Sequence, residues 1–83
     1  EMDVVTAFLE DCTIQGPGEV KSSELYKAYV DWADANNEYK MSKTMFGKEL
    51  SLRFDKGKSN GVIVYRGLRL MTDNAFFKAN YNY

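Results

Sequence analysis

Apolar positions along this chain fall into three helical stripes followed by one strand-like run. Val5, Phe8, Leu9 and Cys12 sit at i, i+3, i+4 and i+7, the spacing of an amphipathic helix. Asp3 is placed to cap its start, and Gln15-Gly16-Pro17-Gly18 is expected to stop regular structure after it. A short extended piece, Glu19-Val20-Lys21, follows. Ser22 or Ser23 then opens a second helix to about Asn37, where Asn36-Asn37 ends it. Its stripe is Leu25, Tyr29, Trp32 and Ala33, with Tyr26 and Val30 on the flank. Ser42 caps a third helix running to about Arg53. Phe46 and Leu50 form its inner side, and Thr44, Lys48 and Ser51 point the opposite way. Gly47 permits close approach of another helix, at some cost in helix propensity.

Past the third helix, residues 54–58 and 62–66 flank Ser59-Asn60-Gly61. Asn-Gly between two such runs is the strongest short-range hairpin signal, and Val62-Ile63-Val64-Tyr65 has a strand's composition. Gly67 is expected to break the strand, with Leu68 and Leu70 returning to the core. Residues 71–83 carry Phe76, Phe77, Tyr81 and Tyr83 without a clear period. They are read as an aromatic C-terminal tail appended to a domain of residues 1–70. The order is helix, short strand, helix, turn, helix, hairpin, with about four residues between the second and third helices. That order predicts an α+β fold, a winged helix-turn-helix of three helices with a C-terminal β-hairpin wing.

Composition narrows the classes. Eighty-three residues make one small domain, and 45% hydrophobic with 14% aromatic content argues for a folded core. One cysteine allows no intrachain disulfide, and with no histidine a structural zinc site is close to excluded. A reducing compartment such as the cytoplasm fits best, and no apolar run approaches the roughly 20 residues that span a bilayer. The chain opens on Glu1 without a signal-peptide pattern, and is read as a piece of a longer protein.

Charge changes the picture more than composition does. The net charge of −1 hides two opposed halves. Residues 1–39 set two lysines against nine carboxylates, a net of −7. Residues 40–70 set eight cations against two carboxylates, a net of +6. A basic working face on an acidic support points first to nucleic acid.

The basic half coincides with the third helix and the hairpin. In a helix-turn-helix the second helix of the pair enters the major groove, its N-terminal residues nearest the base edges. Those residues are Ser42, Lys43 and Thr44, followed by Lys48 and, on the same outer side, Ser51. The hairpin tip adds Lys56, Lys58, Ser59 and Asn60, suited to an adjacent backbone or minor groove. Any one of these lysines reads better as an ordinary solubilising residue; only the cluster shifts the balance to DNA. No Arg–Asn pair is set for bidentate base contacts, so strong sequence specificity is not indicated. Trp32, Tyr26 and Tyr29 are a possible stacking platform, but helical spacing favours core packing for Tyr29 and Trp32. The acidic set Glu10, Asp11, Asp31, Asp34 and Glu38 lacks metal-loop spacing and reads as a solvated face. Catalysis finds no support: no histidine, no GxxxxGK[ST] loop, no nucleophile–base set. No cofactor is implied.

Particular residues resemble a family. Phe8-Leu9 with Cys12, then Leu25-Tyr26 with Tyr29 and Trp32, is similar to the LYxxYxxW stretch of one C-terminal domain. Phe46-Gly47-Lys48-Glu49-Leu50 and Phe54 continue the likeness, and residues 58–70 are similar to its SNGxxxYxGhxL close. That domain ends the phage- and plasmid-type primase–helicases, which are similar to the poxvirus primase–helicase. The resemblance spans about residues 5–70 and implies a winged helix following a helicase ATPase in the same parent chain. It also implies a role in replicating phage, plasmid or integrated-element DNA, with ATP hydrolysis and primer synthesis in other domains. Two functions follow as expectations. One is a non-catalytic DNA-binding module gripping origin or fork DNA through helix three and the wing. The other is a protein-interaction module docking the helicase ATPase or a replication partner through the acidic first half and the aromatic tail.

Overall fold

The structure, a computed structural model, describes residues 3–71. The aromatic tail read at 71–83 lies outside them except for Met71. The elements are α1 (Val4–Cys12), β1 (Thr13–Lys21), α2 (Ser22–Ala35), α3 (Lys43–Ser51), β2 (Asp55–Ser59) and β3 (Val62–Leu70). Three helices thus accompany a three-stranded antiparallel sheet of order β1-β3-β2.

Asp3 caps α1 as expected, its carboxylate accepting the Thr6 N–H at 2.8 Å. Gln15-Gly16-Pro17-Gly18 does not stop regular structure, contrary to expectation. It forms an irregularity inside β1, where Gln15 pairs with Leu68 and Glu19 with Arg66. Four steps along β1 therefore face two along β3. Gly16 and Gly18, both at φ +140°, supply backbone that a side chain would resist. Opposite them Gly67, at φ +99°, bends β3 without ending it. This bend breaks the alternation of faces, so Tyr65 and Leu68, three apart, are both buried in the core.

β1 runs directly into α2. Lys21 is the N-cap, without a side-chain cap, and Ser22 is already helical; neither serine caps the helix. At the other end Asn37 takes φ +55°, Glu38 N–H donates to Ala33 O, and Asn37 N–H to Asp34 O. That is a Schellman stop with asparagine in the left-handed position. It ends α2 at Ala35, so residues 36–42 join α2 to α3, a longer connection than expected.

One aromatic cluster holds the helices together. Tyr29 stacks on Phe46 with centroids 4.5 Å apart, and Phe8 meets both edge-on. Leu25, Leu50, Val20, Tyr65 and Leu68 complete the core. Trp32 is buried, with Nε1 donating to Asp11 at 2.8 Å, so neither it nor Tyr29 is a stacking platform. Gly47 faces a strand rather than a helix: a Cβ there would lie 3.5 Å from the Tyr65 hydroxyl.

Candidate nucleic-acid interface

The position of α3 is fixed by tyrosines. The Tyr29 hydroxyl donates to Tyr39 O at 2.8 Å and accepts the Met41 N–H at 3.0 Å. The Tyr26 hydroxyl donates to Met41 O at 2.9 Å. Two side chains of α2 thus hold the connection from which α3 starts. Ser42 then caps α3, its Oγ accepting the Met45 N–H at 3.2 Å. At the far end, Arg53 donates to Glu49 Oε1 at 2.9 Å and to Asp3 Oδ2 at 3.3 Å, tying α3 to the start of α1.

With Phe46 and Leu50 buried, α3 presents Thr44, Lys48 and Ser51 outward, as the helical spacing requires. β2 and β3 are joined by Asn60-Gly61, at φ +53° and +79°, the left-handed pair of a tight hairpin turn. Lys56 pairs with Tyr65 and Lys58 with Ile63, so strand alternation sets these four on one face of the hairpin.

Between α3 and that face lies a groove of about 760 Å³. Lys43, Thr44, Lys48, Ser51 and Lys56 line it, five of the nine residues singled out from sequence. The other four sit elsewhere. Ser42 is engaged as the cap, and Lys58 is exposed farther along β2. Ser59 and Asn60 border a smaller depression of about 310 Å³ beside Glu19 and Glu24, on the opposite face of the sheet.

Charge partners sharpen the contrast. Among the described residues, ion pairs engage Lys27 with Asp31, Lys40 with Asp34, Arg53 with Asp3 and Glu49, and Arg66 with Glu19. None engages Lys43, Lys48, Lys56 or Lys58. The candidate-face cations are thus in no ion pair among the described residues, a condition that Lys21 and Arg69 share elsewhere on the surface. Lys43 opens α3, whose first turn holds no acidic residue, so its N-terminal amides add to the positive field.

The groove also has apolar walls that the sequence reading missed. Met45, Leu52 and Ile63 line it and are exposed at 49%, 80% and 38%. The signal was present: residues 45 and 52, seven apart, fall beside Lys48 on the outer arc of α3 rather than on its buried stripe. Among the described residues no cluster of His, Cys, Asp and Glu could hold a metal ion, and no helix is long and apolar enough to cross a membrane.

Fold and surface together define a small α+β domain built to present one lysine-edged groove between a helix and a hairpin. The family model of poxvirus D5 protein-like sequences matches residues 1–81. The chain belongs to that family, a C-terminal-type domain of replication-related primase–helicases. No curated protein sequence matches the chain.

Proposed function

We propose that this chain is a winged-helix, DNA-binding module of a primase–helicase of the phage and plasmid type, gripping fork or origin DNA beside the helicase ATPase domain of its parent chain. The observation that carries the reading is the groove that brings together Lys43, Lys48 and Lys56, three cations in no ion pair among the described residues. In this reading α3 lies along the DNA with Thr44 and Ser51 donating to phosphate oxygens or base edges. The wing tip, with Lys58, Ser59 and Asn60, reaches the neighbouring backbone. The module comprises residues 1–70, binds without catalysing, and leaves ATP hydrolysis and primer synthesis to other domains. Docking through the acidic half is less favoured, because Asp31 and Asp34 are already paired with Lys27 and Lys40.

Three phosphates neutralised by the groove lysines give a log–log salt slope of about −2.7 on duplex DNA, or about 40-fold weaker binding at 200 mM than at 50 mM salt. Fluorescence anisotropy with duplex, forked and single-stranded DNA measures this directly. Lys48→Glu with Lys56→Glu is expected to weaken binding by about tenfold or more and to flatten the slope toward −0.9. Unchanged affinity and slope in that double variant would rule out the proposed face.

A further inference from the structure

Phosphate contact accounts for the lysines of the groove but not for its walls. Met45 of α3 and Leu52, the residue that caps its C-terminal end, line the groove together with Ile63 of β3. Leu52, the most exposed of the three, has no packing role that would account for leucine there. Exposed apolar side chains gathered in a concavity and rimmed by charge mark a protein-binding site more than a nucleic-acid one. Here the charged residues of the lining are all cationic apart from Glu49, whose carboxylate is engaged by Arg53.

We infer that this groove binds a short acidic amphipathic segment of a protein partner. Its apolar side chains would seat between Met45, Leu52 and Ile63, and its carboxylates would meet Lys43, Lys48 and Lys56. An amphipathic helix with apolar residues at i, i+3, i+4 and i+7 and Asp or Glu alongside has that chemistry. Charge complementarity selects such a partner. A second copy of this chain is a poorer occupant, since Asp31 and Asp34 on the exposed side of α2 are held in local ion pairs by Lys27 and by Lys40 of the following connection. A segment bound this way covers the lysines assigned to DNA, so peptide and DNA exclude one another. That exclusion rests on the DNA reading; the peptide site itself does not.

The probe is a fluorescein-labelled synthetic helix carrying Leu and Phe at the four apolar positions and Glu elsewhere, titrated with the whole chain. Two control peptides replace every Glu by Gln, or every apolar residue by Ser. Binding at least tenfold tighter than either control is expected, with a further loss of at least fivefold in Leu52→Ser and in Met45→Ser. Circular dichroism checks that these exposed substitutions leave the fold intact. No binding, or equal binding of the Ser-substituted acidic peptide with no loss in Leu52→Ser, would overturn the inference. DNA titrated alone separates the two readings. Peptide binding without DNA binding removes the DNA assignment and leaves the peptide site standing. DNA binding unaffected by Leu52→Ser, with no peptide bound, does the reverse.

Discussion

Tyr29 shows how one residue couples the core to the working surface. Its ring stacks in the aromatic cluster while its hydroxyl holds Tyr39 O and the Met41 N–H. Tyr29→Phe keeps the ring and leaves both backbone groups without that partner, which costs about 1–3 kcal/mol. Urea denaturation should show the loss, and DNA binding should weaken as the start of α3 loosens. Asp3 gives a pH signature. Hydrogen bonds from the Thr6 backbone N–H and hydroxyl, and then the Arg53 charge, hold its carboxyl below the ordinary value of 3.8. A lowered value means the ionised form stabilises the fold above the unfolded-state value, and this is lost as pH falls through the folded-state value. Asp3→Asn keeps a capping oxygen, so its stability deficit at pH 7 should close toward pH 2. Cys12 behaves oppositely: burial, with Asp11 beside it, pushes its thiol up to about 11. At pH 8 roughly one thiol in a thousand is thiolate. Iodoacetamide should therefore modify the folded chain slowly and the urea-unfolded chain fast.

At the scale of elements, spacing and turn chemistry carried the helices and the hairpin. α1, α2 and α3 follow their apolar stripes, and Asn60-Gly61 turns where a left-handed pair was required. Gly61→Ala should cost about 1 kcal/mol through that positive φ. Gly47 is different, being helical, with ordinary contact distance available to a Cβ. Gly47→Ala should raise stability by up to about 1 kcal/mol, read as a higher urea midpoint. What the sequence concealed was non-local. Gly16-Pro17-Gly18 looks like a chain break, yet pairing with β3 on either side carries β1 past it as an irregular strand. Gly67 looks like a terminator for the same reason, but its partner strand continues the ladder. Ser22 looks like a cap, yet Lys21 ends β1 in the extended geometry a cap needs. Local propensity contains no information about a strand that arrives from elsewhere in the chain.

For the whole molecule, the division of charge was legible because residues 1–39 and 40–70 also divide in space by element. The second half supplies α3 and two of the three strands. The groove between them was only half legible. Helical spacing put Thr44, Lys48 and Ser51 outward, and the Asn-Gly signal put Lys56 and Lys58 near a hairpin tip. Which of them share a groove depends on how closely α3 docks on the sheet. That is set by contacts between distant elements, such as Phe46 and Leu50 in the shared core and the Tyr65 hydroxyl donating to Gly47 O at 3.4 Å, which local patterns do not reveal. The proposal that DNA occupies this groove is tested residue by residue by a nitrogen-15 NMR titration of the chain with a short forked duplex. We expect amide shifts concentrated in residues 43–52 and 56–60, diminishing from 50 to 200 mM salt, with α1 and the outer face of α2 unmoved. Shifts centred on the acidic α1 and α2 face, or none at 50 mM salt, would contradict it.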